Sequence, residues 1–430
     1  MSERELSLME SRALHEYRPR IADARIEGAL KSFGGVLITG PKWCGKSWTG
    51  FRHAKSAVLM DTEESIARAK LAPYALLDRE RPLLVDEWQF APETWDAARR
   101  MIDAEGAPGM FIFTGSSSPP DKRPLHSGTG RFARVRMRTL SLFESGDSDG
   151  SVSLSALFRD GRTEPVLSEM CFERATELIC RGGWPGEVWS ERAGGTSIAE
   201  EYLASIAESE LSGADGTRRS PAIGRAILRS LARNSASPVK ATTLREDMAR
   251  NGNLEVCDHT VRKYADALKD IYVLCEQEAW SPSLRSKTRA RTSPKLHLTD
   301  PSLAAAAIGA SPRALMGDPR TAGLLFESLC YRDLCVYAEG MGGRVHHFRD
   351  ENGFEIDDIV VLGDGRWGAI EVKLGSFEFD KAAKNLLRLR DGMSDGAAGP
   401  SFLAILSASG GVAHTRDDGV TVVPIDRLGP

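Results

Sequence analysis

The stretch Val36-Leu37-Ile38-Thr39-Gly40-Pro41-Lys42-Trp43-Cys44-Gly45-Lys46-Ser47 sets the reading of this chain. A short apolar run predicts a strand. Gly40 and Gly45-Lys46-Ser47 then stand at P-loop spacing: Gly, four residues, Gly-Lys, then Ser or Thr. The glycines let the loop curl so that its backbone N–H groups face phosphate oxygens. Lys46 is expected to reach β- and γ-phosphates, and the Ser47 hydroxyl to ligate Mg²⁺. Pro41, Lys42, Trp43 and Cys44 complete the loop. The following helix, with Trp48 in its first turn, would aim its positive end at the same phosphates. An ordinary Gly-containing turn is the bland alternative. It loses ground because a strand precedes the pattern and an acidic motif follows.

That second motif is Leu83-Leu84-Val85-Asp86-Glu87. The apolar residues carry a strand and the acids end it. Asp86 is expected to hold Mg²⁺ through its water shell, and Glu87 to orient the attacking water and accept its proton. Alone, the pair reads equally well as the cap of a following helix. The strand Phe111-Ile112-Phe113-Thr114-Gly115-Ser116-Ser117-Ser118 ends in hydroxyls, of which Thr114 or Ser116 would sense the γ-phosphate or hold the water. With the run Ala57-Val58-Leu59-Met60-Asp61, these segments alternate with helical ones, which predicts an open α/β sheet whose ligand sits at the carboxyl ends of its strands. Leu14 to Lys31 reads as a helical lead-in that Pro19 kinks or restarts.

The chain has 430 residues, more than one usual core holds, so two or three domains are expected. Its net charge of −4 gives no global pull towards nucleic acid, so any such surface is local. The 7 cysteines are scattered, without CxxC or metal spacing, which points to reduced thiols and a cytoplasmic location. Cys44 reads as a small loop filler. No apolar run has the length of a membrane span, and the charged N-terminus lacks a signal-peptide core.

Together with Ser127 to Glu144 and Gly182-Gly183-Trp184-Pro185-Gly186, these motifs make the chain resemble the AAA-type P-loop ATPases of bacteria and archaea that carry a C-terminal nuclease-like region. The resemblance covers nearly the whole chain. It implies ATP and Mg²⁺ as ligands, an ATPase core with a helical lid (residues 1–220), and no particular biological role. Ser168 to Cys180 and Ser197 to Leu211 are the expected lid helices, with Trp184 and Trp189 as packing residues. ATPases of this type commonly work as rings, so a homo-oligomer is expected. Arg131 is then a candidate arginine finger, reaching a γ-phosphate. Arg134, Arg136 and Arg138 alternate with Val135 and Met137, the period of a strand with one basic face. A solvated face and a phosphate-tracking surface compete with the finger reading.

Residues 221–286 read as three helices followed by a short hairpin in the run Ile271 to Trp280, a winged helix with Arg262 and Lys263 near the start of its third helix. Contact with DNA and a bracing role stand as alternatives there. Ser281 to Lys295 carries Arg285, Lys287, Arg289, Arg291 and Lys295, and reads as a solvated basic linker, with a phosphate-contacting strip as the alternative.

In residues 287–430, Asp357 and Glu371-Val372-Lys373 resemble the PD-(D/E)xK core of a restriction-endonuclease-like α/β domain. A strand's period of two puts Glu371 and Lys373 on one face, and Asp357 on the neighbouring strand can approach them. Asp357 and Glu371 would form an oxygen site for Mg²⁺, joined by Glu327 from the preceding helix, while Lys373 orients water. Asp358 should face away. The histidines show no metal spacing. A surface strand with a salt-bridged Glu-x-Lys is the bland alternative. Two functions are expected: an ATPase coupled to a nuclease-like domain acting on nucleic acid, DNA rather than RNA, or an ATP-driven switch binding a protein partner, with an inert C-terminal domain.

Overall fold

The computed structural model describes residues 16–117, 128–189, 197–213, 217–252, 254–281, 293–393 and 398–430. The chain forms two compact units. One is Met1–Thr139 with Ala214–Thr217 and Asp270–Tyr272, and the other is Leu140–Gly213, Arg218–Lys269 and Val273–Pro430. Ser118, Ser127, and the linker residues Arg285, Lys287, Arg289 and Arg291 lie outside the described residues, as does the start of the expected lead-in.

In the first unit, helix α1 is Ala22–Ser32, so it begins after Pro19. Strand β1 (Gly35–Thr39) leads through the loop into α2 (Lys46–His53). Then come β2 (Ser56–Leu59), β3 (Leu83–Asp86), α3 (Glu93–Glu105), β4 (Phe111–Gly115) and β5 (Phe132–Arg136). The sheet order is β2-β3-β4-β1-β5, all parallel. Central strands covered on both faces have no polar side, which is why their sequences are unbroken apolar runs. Helix α3 is amphipathic. It buries Trp95, Ala98 and Ile102 and stops at Gly106, whose φ of +64° suits glycine. Trp95 stacks on Phe132 at 4.1 Å and on Trp88 at 4.8 Å, with Phe113 edge-on at 5.3 Å. This aromatic core holds α3 to the sheet, and the parallel register brings Thr39, Asp86 and Thr114 to one edge.

The second unit includes β6 (Val166–Leu167), α4 (Phe172–Arg181) and α5 (Ile198–Ser205). The expected lid helices thus belong by compactness to this unit, where both pack on the helix Pro301–Ala307. The chain continues through α6 (Pro221–Arg233), β7 (Ser237–Pro238), α7 (Ala241–Gly252), α8 (Asp258–Asp270), β8 (Leu274–Gln277), β9 (Ala279–Trp280) and β10 (Lys295–Leu298). Strands β7, β10 and β8 form an antiparallel sheet in that order. The expected hairpin within Ile271 to Trp280 does not form. The partner of β8 is β10, and β9 instead joins the larger sheet, so the expected boundary at 286 falls between paired strands.

Helices α9 (Pro301–Ala307) and α10 (Pro319–Gly340) lead to β11 (Arg344–Arg349), β12 (Glu355–Val361), β13 (Trp367–Lys373), α11 (Phe379–Asp391), β14 (Leu403–Ser407), β15 (Val412–Thr415) and β16 (Thr421–Pro424). The eight-stranded sheet has the order β9-β11-β12-β13-β14-β16-β15-β6. Helix α11 presses Phe379, Ala382, Ala383, Leu386 and Leu389 onto Ile359, Ala369, Ile405 and Val422. Trp184 packs as expected: it is buried edge-on to Tyr202 at 5.5 Å, and its indole N–H donates to Ser302. Beside it, Gly183 donates its N–H to Asp300, which with Asp333 flanks the buried Arg332 at 3.1 and 2.7 Å.

Candidate functional site

Two clusters gather the side chains singled out above, one in each unit. The first is built on the P-loop. Gly40 has a φ of +155°, and a Cβ there would stand 2.4 Å from the Met137 carbonyl oxygen. Gly45 has a φ of +99°, the left-handed region that glycine enters freely, immediately before α2. No side chain caps the first turn of α2. Its N–H groups, with the dipole behind them, are what a phosphate needs. Pro41 and Cys44 are buried, whereas Lys42 is partly exposed and Trp43 (φ +62°) and Trp48 are exposed. The Lys46 ammonium lies folded into the loop, donating to the Pro41 carbonyl at 2.8 Å.

The acids stand at the ends of β3 and β4. Thr114 donates to Asp86, and the Ser47 hydroxyl stands close enough to act on its charge. Burial lifts Asp86 to about 6. The charge of Glu87 adds to that lift, while the two hydroxyls and Lys46 oppose it. Glu87 itself sits at φ +53°, strained for a residue with a Cβ. Its N–H donates to the Thr114 oxygen at 3.2 Å, and its carboxylate accepts from Ser116 at 3.1 Å and from Gln89. Sequence left Thr114 and Ser116 as alternatives. The structure gives each a different carboxylate, Asp86 for Thr114 and Glu87 for Ser116. Gln89, which sequence reasoning missed, steadies Glu87.

The lead-in residues contribute more than packing. Arg20 is buried and donates to the carbonyls of Cys44 at 2.9 Å and Arg138 at 2.9 Å. The Tyr17 hydroxyl donates to Asp23 at 2.7 Å and meets Thr49 at 3.1 Å, while His53 contacts Asp23 at 3.0 Å. This clasp ties the segment before α1 to the P-loop and to α2. Its only trace in the sequence is Tyr17-Arg18-Pro19-Arg20, and polar residues in a helical lead-in carry no sign of such a contact.

Arg131 lies elsewhere. Gly35 pairs with Phe132 and Thr39 with Arg136, so Arg131 is at the amino edge of the sheet and the P-loop at the carboxyl edge. The strand rise puts roughly 15 Å between them. Arg131 pairs instead with Asp103 of α3 at 2.8 Å. The basic face expected of this strand is uneven: Arg134 is exposed and Arg136 partly so, while Arg138 lies past the strand and is buried.

The second cluster spans α10, β10, β12 and β13. Lys373 contacts Asp357 at 3.2 Å and also pairs with Glu371. Asp357 accepts the Val372 N–H at 2.9 Å, and Glu371 accepts from Asn385 at 3.2 Å. Glu327 reaches the group through Lys295, whose ammonium stands 2.6 Å from it, 3.6 Å from Asp357 and 4.0 Å from Glu355. The solvated-linker reading of Lys295 is therefore corrected. It lies on β10 with 2% exposure, because its ammonium is wanted among carboxylates. Burial opposes ionisation of Asp357, but Lys373 and Lys295 outweigh it and hold Asp357 at about 2. Burial raises Glu327 and Glu371 to about 7 against those lysines. Asp358 is buried, and its carboxylate accepts from Gln277 at 2.8 Å. Among the described residues, no three His, Cys, Asp or Glu side chains are arranged to hold a metal ion. Glu327, Asp357 and Glu371 as they stand do not fit the Mg²⁺ site expected of them. Ser47 and Asp86 do fit one: an oxygen pair beside a loop whose backbone needs glycine at positions 40 and 45.

Residues 32–145 match a family model described as an AAA domain. Residues 172–314 and 322–428 match two others, each described as a domain of unknown function. An uncharacterized protein of Mycobacterium tuberculosis is 27% identical over 363 residues, 82% of this chain and 73% of that protein. One of Mycobacterium bovis matches to the same extent. Among solved structures, the Walker-type ATPase PABY2304 of Pyrococcus abyssi has 14% identity, covers 68% of this chain and 98% of its own, and gives a TM-score of 0.39. The replication initiator DnaA bound to AMPPCP and single-stranded DNA has 12% identity, covers 58% and 86%, and gives 0.28. Among the described residues, no helix is long and apolar enough to cross a membrane. The family match and the P-loop geometry agree on an AAA-type P-loop domain in the first unit.

Proposed function

We propose that the chain is a Mg²⁺-dependent ATP hydrolase. The observation that carries this is the pair Asp86 and Glu87, held by Thr114 and Ser116 next to Lys46 and Ser47. Gly40 to Ser47 would cradle the phosphates, and Ser47 and Asp86 would hold Mg²⁺, which when bound draws charge off the phosphate oxygens. Glu87 aligns the attacking water and takes its proton. Ser116 and Gln89 fix that carboxylate, and Lys46 leaves the Pro41 carbonyl for the phosphates. Arg131, too far from its own P-loop, would serve a neighbouring copy in a homo-oligomer. Lys46→Ala should lower ATP turnover on the order of 10²-fold or more. Turnover close to wild type in that variant rejects the assignment.

The second unit reads as the effector of this cycle, with DNA as its partner. The three helices α6, α7 and α8, with strands in the sheet order β7-β10-β8, support a winged helix with Arg262 and Lys263 on its third helix. Helix α10 followed by β11, β12, β13, α11 and β14 supports a restriction-endonuclease-like core, with Asp357, Glu371 and Lys373 on adjacent strands. The pairing of its acids with Lys295 and Lys373 favours a second reading, a nucleotide-driven switch whose nuclease-like domain does not cut. Cleavage of supercoiled and linear DNA with Mg²⁺ or Mn²⁺, with and without ATP, separates the two. Cleavage that is lost in Lys373→Ala and depends on Lys46 supports the coupled nuclease, whereas ATP turnover unmoved by DNA, with no cleavage, supports the switch.

A further inference from the structure

The acid cluster of the second unit already contains its cations. Lys295 enters from β10, a strand of the small sheet. Its side chain is 3% exposed and reaches Glu327 on α10 at 2.6 Å and Asp357 on β12 at 3.6 Å. A divalent ion bridging Glu327 and Asp357 needs that same place, since hard cations sit about 2.0–2.6 Å from carboxylate oxygens. Lys373 fills the corresponding gap between Asp357 and Glu371. Lys373 belongs to the motif that was legible in sequence. Lys295 does not.

We infer that Lys295 is a built-in cation that closes the Glu327–Asp357 site to divalent metal, so that the cluster takes up a metal ion only when this lysine is absent or withdrawn. This rests on reading Glu327, Asp357, Glu371 and Lys373 as one site. Two like charges cannot share a space a few ångströms wide in a poorly solvated pocket. The lysine therefore competes directly with the metal. Its tether is also informative. Lys295 pairs in register with Gln277 of β8 and Pro238 of β7, so its ammonium can leave the acids only if β10 or its own stem moves. Gln277 reinforces that placement, donating to the Asp357 carbonyl at 3.0 Å and to Asp358 at 2.8 Å. The metal state of the cluster is thereby linked to the position of the three-helix module that owns β10.

The test is Mn²⁺ binding to the nucleotide-free full chain, followed by electron paramagnetic resonance and by the shift in melting temperature. Lys295→Met keeps the length of the stem and removes the charge. It should bind Mn²⁺ at least about 100-fold more tightly than wild type, a ratio set by the removed repulsion. Asp357→Asn in the same chain should abolish that gain. Mn²⁺ should raise the melting temperature of Lys295→Met more than that of wild type, and Asp357→Asn should erase the difference. Tight Mn²⁺ binding by wild type that Asp357→Asn removes overturns the inference and leaves a metal nuclease standing. That arm is decisive even where Lys295→Met fails to fold. No Mn²⁺ site in a folded Lys295→Met chain overturns both the inference and the reading of the cluster as a nuclease-like site.

Discussion

The Thr114 hydroxyl donates to the Asp86 carboxylate, and the same oxygen accepts the Glu87 N–H at 3.2 Å. One side chain on β4 therefore sets both acids at the end of β3. Burial raises Asp86 to about 6 even with this bond in place. The bond favours the charged carboxylate, so its loss moves Asp86 further up. In Thr114→Val, the acid limb of the pH profile for metal-dependent ATP turnover should shift up by about one unit, the size expected from one hydrogen bond to a charged group. Thr114→Ser should restore it. An acid limb that stays put in Thr114→Val counts against a role for Asp86 as the titrating group.

Arg20 is expected to matter to nucleotide binding without touching the phosphates. It fastens the P-loop through the Cys44 carbonyl and the strand end through the Arg138 carbonyl. Arg20→Met keeps the stem but orphans two buried acceptors, a loss of about 2–4 kcal/mol. Chemical denaturation should report that loss, and titration with a non-hydrolysable ATP analogue should show weaker binding at full occupancy of the folded state. Unchanged stability would mean the clasp is incidental.

Arg131 should act on a neighbour or not at all, because its own P-loop lies at the other edge of the sheet. Arg131→Ala should bind ATP normally and turn it over on the order of 10²-fold more slowly. Mixing it with Lys46→Ala chains should recover part of the activity, since a wild-type finger then meets a wild-type P-loop. Losing the exposed Asp103 pair should shift stability by no more than about 1 kcal/mol. Mixtures that stay inactive remove the finger reading.

Arg332 holds the second unit together. It lies buried between Asp300 and Asp333, which in turn bind the Gly183 and Leu142 N–H groups at 3.0 and 2.9 Å. Arg332→Met leaves two buried carboxylates without their cation and should cost about 3–5 kcal/mol. The triple change Arg332→Met, Asp300→Asn and Asp333→Asn should recover much of that loss in a urea melt. A single variant as stable as wild type would show that the carboxylates do not depend on it.

Much of the first site was legible because its chemistry is local. The P-loop needs glycine at two fixed positions, and buried parallel strands need unbroken apolar runs. Val36 to Ser47 and Leu83 to Glu87 show both constraints in consecutive residues. The same holds for Glu371-Val372-Lys373, where strand periodicity alone places two side chains on one face. Arg131 shows where locality stops. Its position against the P-loop depends on the register of β5 with β1, which no run of neighbouring residues encodes.

The sequence by itself determined the α/β class, the strand–loop–helix at the phosphate site, and which acids end which strands, because backbone sterics and burial act over a few residues. Only the tertiary structure decided that Arg20 clasps the loop, that Thr114 bonds the Asp86 carboxylate and Ser116 that of Glu87, that β8 pairs with β10 rather than β9, and that Lys295 stands among Glu327, Asp357 and Glu355. A basic residue at the end of a basic run looks solvated until the fold brings carboxylates to it from other elements. The cost of burying a charge is met only by partners distant in sequence, and those partners are fixed when the sheets close.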